Sequence, residues 1–296
     1  MGSLIEPLRR AFSSPASSPK RAHYDLAEHG ESGTLLIMPA WRPAGAIGVK
    51  IATVFPGNAD RGLPTVAGAY LLLSGDTGQA CAAIDGRALT LLRTAAVSAL
   101  AADSLAREDP EVLLMVGTGA LSRYLIEGHL AVRKYESVVI WGRDIRKAEA
   151  VAKDLDSRGW PVGVNADLER AARTADVISC ATMSDKALIR GAWLKSKSHL
   201  DLVGSFKPNM READDECMRG AFIVVDTFDA LTESGDLEGP LARSAVDRGH
   251  VSSLEDLIER KTPVPDTYNT VFKSVGVALA DLAVAEQLFA RNNKAP

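Results

Sequence analysis

The stretch Val112 to His129 reads VLLMVGTGALSRYLIEGH, and its reading decides the fold. An apolar run of strand type, Val112 to Val116, passes straight into Gly117, Thr118 and Gly119 and then into helical periodicity carried by Leu121, Leu125 and Ile126. Strand, glycine turn and helix in that order form the phosphate turn of a dinucleotide fold. The backbone must bend sharply off the strand and let a pyrophosphate approach the amide N–H groups at the helix start, around Ala120 and Leu121. The third small position falls at Ser122 rather than at a glycine, so an ordinary strand-to-helix turn is the competing reading.

About 25 residues further on, the usual distance in such folds, the apolar run Val138, Val139, Ile140, Trp141 ends in Gly142, Arg143 and Asp144. The tip of this second strand faces the adenosine ribose: an acid there bonds the free 2′-hydroxyl of NAD, and an arginine accommodates the 2′-phosphate of NADP. Arg143 stands first, with Arg146 and Lys147 behind it, and three cations at one spot favour NADPH, with NADH as a weaker ligand. Asp144, if it points inward, would accept the ribose hydroxyls instead. A solvated helix start is the remaining alternative.

At 296 residues the chain has room for two domains, and 46% hydrophobic with 24% charged residues describes a soluble globular protein. The net charge of −4 gives no reason to expect nucleic acid or an anionic membrane as partner. No stretch reaches the roughly 18 consecutive apolar residues of a membrane span. Cys81, Cys180 and Cys217 are widely spaced, which predicts a reducing, cytoplasmic location, and neither they nor the histidines have the spacing of a metal site. The first twenty residues faintly imitate a transit peptide. The preferred reading is a short amphipathic helix with Leu4, Ile5, Leu8 and Phe12 on one face.

Short apolar runs at Leu35–Met38, Ile47–Val54, Val66–Leu73 and Ala80–Ile84, punctuated by prolines and glycines, predict a strand meander, followed by a helix from about Leu89 to Ala106. After Pro110, strand-like runs at 112–116, 137–141, 177–180, 200–204 and 222–226 alternate with helical segments. The expected fold is therefore α/β: a doubly wound, Rossmann-type parallel sheet over 110–269, plus a mixed α+β domain made of 1–109 and 270–296. Thr270 to Arg291 reads as one long helix rich in small residues.

Two cations outside the nucleotide region stand in apolar surroundings. Lys50 lies on a probable strand, Gly48-Val49-Lys50-Ile51-Ala52, where it is structural, exposed or functional. Arg93 sits on a helix of small and apolar residues, where it either forms an internal ion pair or forks onto a ligand carboxylate.

Over nearly its whole length the chain resembles the ornithine cyclodeaminase and μ-crystallin family. The resemblance is carried by Gly48-Val49-Lys50, Phe55-Pro56-Gly57-Asn58, Gly62-Leu63-Pro64-Thr65, Asp76-Thr77-Gly78, Ile84-Asp85-Gly86, Arg93-Thr94-Ala95-Ala96, Gly117-Thr118-Gly119 and Ser274-Val275-Gly276. It implies a homodimer, a substrate and dimerisation domain beside the Rossmann domain, and chemistry at the α-carbon of a small amino or imino acid. It further implies that Arg21, Lys50 and Arg93 hold the substrate carboxylate, and that Thr94, Ala181, Thr182, Ser205 and Ser274 edge the cofactor.

Where ornithine cyclodeaminases carry an aspartate in Gly-Gly-Asp-Cys-Pro-Gly, this chain reads Gly204-Ser205-Phe206-Lys207-Pro208-Asn209. A phenylalanine can neither accept a proton nor bind an ammonium through a carboxylate, so ornithine cyclisation is not expected. The spellings around Gly117 and Arg143 resemble the family's bacterial reductases of Δ1-pyrroline-2-carboxylate and Δ1-piperideine-2-carboxylate. That implies hydride transfer to a cyclic imine, with Lys50 and Arg93 as catalytic residues and Phe206 against the ring. The imine arrives protonated, or a water or Lys50 supplies the proton. An alanine-type dehydrogenase aminating a 2-oxo acid, and a non-catalytic NADPH-dependent binding protein, are the alternatives.

Overall fold

The computed structural model describes residues 1–26, 33–43, 45–260, 264 and 268–293. Two compact units appear: Met1–Ile5 with Thr94–Gly276, and Glu6–Arg93 with Val277–Pro296. The expected divisions at 109 and 270 fall instead after Arg93 and after Gly276, and Met1–Ile5 groups with the unit that begins at Thr94.

The chain begins with helix α1 (Ile5–Phe12), in which Leu8 and Phe12 are buried along with Leu4 and Ile5. Strands β1 (Ala22–Asp25), β2 (Thr34–Trp41), β3 (Ile47–Val54), β4 (Val66–Leu73) and β5 (Ala80–Asp85) then form one antiparallel sheet in chain order. The register places Lys50 opposite Met38 on one side and Tyr70 on the other. Because side chains alternate faces with a period of two, Lys50 shares a buried face with Met38, Ala40, Ala52, Tyr70 and Leu72. Ile51 and Leu71 point the other way and are 37% and 36% exposed.

Helix α2 (Gly86–Leu105) is apolar enough in composition to cross a bilayer, yet 67% of that window is buried within the protein. A helix that is apolar all round is one surrounded by protein.

The other unit continues with β6 (Val112–Val116), α3 (Ala120–Val132), β7 (Ser137–Trp141), α4 (Ile145–Asp156), β8 (Val162–Val164), α5 (Leu168–Thr174), β9 (Val177–Cys180) and β10 (His199–Leu202). After these come α6 (Asp215–Met218), β11 (Phe222–Val225), α7 (Ala230–Glu233), α8 (Gly235–Ala242), β12 (Val251–Ser253), α9 (Leu254–Arg260) and β13 (Thr270–Lys273). The sheet runs β12-β11-β13-β10-β9-β6-β7-β8, and every pair is parallel. From β6 the chain winds outward through β7 to β8 and then returns to β9 on the other side of β6. That reversal is the topological switch point where such sheets bind ligands. β9, β10 and β13 are buried at every residue, as strands covered on both faces must be.

Thr270 corrects one expectation. Instead of opening a helix, Thr270–Lys273 is a parallel strand inserted between β10 and β11, and the last helix, α10 (Ala278–Asn292), begins only after Gly276 has turned the chain at φ +88°. α10 belongs to the same unit as the antiparallel sheet and packs on β2, β3 and β4. Within the parallel unit, the buried Asp201 carboxylate accepts hydrogen bonds from Ser98 of α2 at 3.0 Å and Ser179 of β9 at 2.7 Å, and lies 3.1 Å from His129 Nε2 on α3. One acid thus ties two helices and two strands together.

Candidate active site

The glycine turn after β6 has the form a pyrophosphate needs. Gly117 adopts φ +126°, and a Cβ there would stand 2.6 Å from the carbonyl oxygen of Ala181, so both backbone conformation and space demand glycine. Gly119 is the N-cap of α3, contributes no side-chain cap, and would find nothing within 4 Å of an added Cβ. The first turn of α3, with Ala120 and Leu121, carries no acidic residue. Its N–H groups and the positive end of the helix dipole are therefore available to an anion. Ser122, at the third small position, turns its hydroxyl back onto the carbonyl of Gly117 at 2.9 Å and is fully buried. It stabilises the turn from within, which a glycine cannot do.

At the tip of β7, Gly142 allows Thr118 to approach: an added Cβ would lie 2.5 Å from Thr118 Cγ2. Arg143 is exposed. Asp144 is the N-cap of α4, where Oδ1 accepts from the backbone N–H of Arg146 at 3.1 Å and from Arg146 Nε at 3.3 Å. Its carboxylate is thus engaged by its own helix, whereas Arg143 and Lys147 stand exposed nearby.

The loops that follow β9, β10 and β13 differ from the expected picture in what they can offer a ligand. Thr182 donates both its N–H, at 2.6 Å, and its hydroxyl, at 2.8 Å, to Glu212 Oε1, while the N–H groups of Gly204 and Ser205 donate to Oε2 at 2.7 and 3.3 Å. Burial pushes the Glu212 carboxyl up to about 7, against the pull of Lys273. The hydroxyl of Ser205 donates to the carbonyl of Met210 and meets Ser234, each at 2.7 Å, with no surface left for a cofactor. Ser274 donates to Asp226 at 2.7 Å, and the same carboxylate receives the N–H groups of Val275 and Gly276. The hydroxyls of Ser205 and Ser274, two residues expected to edge the cofactor, therefore bind protein. Thr94 is buried within α2, and Phe206, beside Gly204 and Ser205, is 38% exposed with Lys207 Nζ 5.9 Å from its ring centre.

The antiparallel unit holds a cluster built on one carboxylate. Lys50 Nζ donates to Asp281 Oδ1 at 3.1 Å and to Thr90 Oγ1 at 2.6 Å, and Arg93 Nε donates to the same Asp281 oxygen at 3.2 Å. Lys50, Arg93 and Asp281 are all buried. Burial pushes the Lys50 ammonium down to about 8; Asp281 opposes this, and the charges of Arg93 and Arg21 add to it. Arg21, half-buried just before β1, is thus close enough to act on Lys50. Arg93 meets Asp281 through Nε, so the Nη1 and Nη2 edge is not engaged by that carboxylate. A cleft of about 340 Å³ opens beside Lys50, with Ala52, Val66, Gly68, Thr90 and Leu91 among its walls. Among the described residues no group of three or more histidine, cysteine or acidic side chains is arranged to hold a metal.

Asp281 did not figure among the residues expected in the site. Its signal is in the sequence all the same: it is the one acid within Val277-Ala278-Leu279-Ala280-Asp281-Leu282-Ala283-Val284, and an acid inside such a run must be neutralised by something. Glu212 and Asp226 had no comparable signal, because both lie in loops where acids are common.

A Rossmann sheet with a phosphate turn, and an antiparallel unit with a buried cluster of cations, together define a class, and residues 1–295 match the ornithine cyclodeaminase/mu-crystallin family, to which the chain belongs. Within it the chain is 37% identical over 290 residues to the Delta(1)-pyrroline-2-carboxylate reductase of Paracoccus denitrificans, an alignment spanning 96% of this chain and 90% of that protein. It is 32% identical to the ketimine reductase mu-crystallin of Mus musculus, over 97% of this chain and 91% of the other. Among solved structures, the Delta(1)-pyrroline-2-carboxylate reductase of Thermococcus litoralis in complex with NADH and L-proline superposes with a TM-score of 0.91 at 28% identity, covering 98% of this chain and 93% of that one.

Proposed function

We propose that this chain is an NADPH-dependent reductase of cyclic imino acids, converting Δ1-pyrroline-2-carboxylate to L-proline and Δ1-piperideine-2-carboxylate to L-pipecolate. The observation that carries the reading is the buried cluster in which Lys50 and Arg93 share one oxygen of Asp281, with Arg21 near enough to act on Lys50. Lys50 and Arg93 against the single carboxylate of Asp281 leave an excess of positive charge, which suits a small substrate bearing its own carboxylate. Arg93 and Arg21 hold that carboxylate, and the planar donor edge of Arg93 can take both of its oxygens. Lys50 gives its proton to the imine nitrogen. A lysine held near 8 loses a proton far more readily than an ordinary one and still carries it at neutral pH. Thr90, whose hydroxyl donates a hydrogen bond to the carbonyl of Gly86 at 2.6 Å, presents a lone pair that keeps Lys50 Nζ oriented.

The cofactor fits the residues present. Gly117 leaves a cradle that a Cβ would fill, and Gly119, Ala120 and Leu121 present the start of α3 to a pyrophosphate. The engagement of Asp144 with its own helix leaves Arg143 and Lys147 to meet a 2′-phosphate, which supports NADPH over NADH. Bound NADPH supplies the hydride. Ala181, whose N–H is tied to Val116 at 2.9 Å, and Thr182, oriented by Glu212, edge that site through their backbone. The apolar ring of Phe206, in place of an acid, supports reduction rather than ornithine cyclisation. A homodimer is supported by Ile51 and Leu71, which leave the outer face of the antiparallel sheet apolar and exposed, and free thiols at Cys81, Cys180 and Cys217 suit a cytoplasmic location.

The test is NADPH oxidation followed by the loss of its near-ultraviolet absorbance, with Δ1-pyrroline-2-carboxylate and no ammonia. Turnover supports the reading. Turnover only with a 2-oxo acid plus ammonia would make the chain an amino acid dehydrogenase, and tight binding of NADPH with no consumption would make it a binding protein.

A further inference from the structure

Asp281 has two carboxylate oxygens in different situations. Oδ1 holds Lys50 Nζ at 3.1 Å and Arg93 Nε at 3.2 Å, while Oδ2, equally buried, has no hydrogen-bond partner among the described residues. The residue exposes no surface, so no ligand reaches it directly. A carboxylate whose task was only to glue two cations would be expected to engage both oxygens, because desolvating a charge is costly and each additional donor offsets it. One oxygen bridging two cations instead makes the charge on each depend on the other.

We propose that Asp281 is the positioning residue of this cluster: it keeps the Lys50 ammonium protonated until the imine nitrogen takes that proton, and it fixes where Lys50 stands relative to Arg93. This inference rests on the imine-reductase reading.

The groups that face Lys50 are few. Arg93 comes from α2 together with the neutral Thr90, Arg21 from the segment before β1, Tyr70 from β4 with a phenol that burial keeps protonated, and Asp281 from α10. Burial, Arg93 and Arg21 all favour the neutral amine, and among the described residues Asp281 is the carboxylate that opposes them. Without it Lys50 is left in a dry site beside two positive charges, where an ammonium gives up its proton to solvent. With it the proton is retained but lightly held. In the reaction the N–H bond on Nζ breaks as one forms on the imine nitrogen, leaving Lys50 neutral and the substrate an iminium ready for hydride. The Asp281 charge then draws the next proton from solvent back to Lys50.

The consequence separates Asp281 from an ordinary structural acid. Removing its charge should lower the proton affinity of Lys50 and with it kcat at neutral pH, while substrate binding through Arg93 and Arg21 suffers less.

The experiment follows the Lys50 13Cε resonance against pH in the cofactor-free full chain, assigned by its absence in K50R, for wild type and D281N. Alongside it, kcat and KM for Δ1-pyrroline-2-carboxylate are measured across the same pH range. Lys50 should titrate near 8 in wild type, and in D281N its proton affinity should fall by about tenfold or more, one unit of pH. At pH 7.5, kcat should fall by about threefold or more, the loss of protonated Lys50 that a fall of one unit from near 8 brings at that pH, with KM changing by less than about twofold. An unmoved Lys50 titration in D281N overturns the proposal, as does a loss carried by KM alone. Should D281N fail to fold, D281S removes the charge, leaves room for water and reads out the same way. The resonance does not depend on turnover, so absence of imine reduction would count against the proposed function while the titration still decides the role of Asp281.

Discussion

Gly117 and Ala181 approach so closely at the ends of two neighbouring parallel strands that a side chain on the first would collide with the carbonyl of the second at 2.6 Å. Because Gly117 also adopts φ +126°, G117A strains the backbone as well as the contact, at a cost of about 1–3 kcal/mol. The turn would have to move, and the amides at the start of α3 with it. NADPH affinity, measured by fluorescence titration, should fall by about tenfold or more, and the melting temperature should drop by a few degrees. A variant with unchanged affinity would mean that the cofactor does not lie on this turn.

Arg143 and Asp144 are adjacent but differently employed: the acid caps α4, and the arginine is exposed beyond it. R143A should therefore weaken NADPH by about 10- to 100-fold, the worth of one charge-assisted contact to a phosphate, and leave NADH nearly unchanged. Equal losses for the two cofactors would transfer the selectivity to Asp144 or to the backbone. Isothermal titration with each cofactor decides it.

The parts of this architecture that were legible in the sequence are those where one physical signal dominates. β6, β7 and β9 are apolar runs closed by glycine, cysteine or a turn, and the phosphate turn follows β6 without interruption. β8 and β12, three residues each, are too short to show any period. β13 was hidden for a different reason: Thr270–Lys273 runs into Ser274-Val275-Gly276 and a helix of small residues, and ends in a lysine that no strand pattern would place in a core. Lys273 is fully buried there because Asp236, 37 residues earlier, lies 3.3 Å from its Nζ. Such a pairing leaves no trace in local sequence. The same holds for Lys50 and Asp281, separated by 231 residues and joined by one hydrogen bond. Lys50 itself was legible as a cation on a strand that alternation should bury, whereas the hydroxyls of Ser205 and Ser274 turned out to serve loop carbonyls and carboxylates that only the fold brings near.

Asp201 gives the fold an acid limit. Burial pushes its carboxyl up, but His129 and Ser179 more than offset this and hold it below the usual carboxylate range. A folded-state value below the unfolded one of about 3.9 contributes stability that is complete above that pH and is lost as pH falls through the folded value. Urea unfolding at pH 7 and pH 3.5 should show wild type losing stability over that interval. D201N, which leaves His129, Ser98 and Ser179 with a poorer partner in a dry core, should be less stable by about 3 kcal/mol at pH 7 and show a smaller loss on acidification. An equal acid loss in both proteins would place the sensitive group elsewhere.

In the proposed reaction a hydride reaches the carbon of a cyclic imine whose nitrogen is protonated from the Lys50 cluster. The transfer is followed by incubating the enzyme with Δ1-pyrroline-2-carboxylate and NADPH dideuterated at nicotinamide C4, and locating the label in the product by mass spectrometry and proton NMR. L-Proline should carry one deuterium at its α-carbon, formed by wild type and lost in K50M and R93A, both of which still bind NADPH. Consumption of NADPH without deuterium at that carbon, or labelled proline formed as fast by K50M as by wild type, would contradict it.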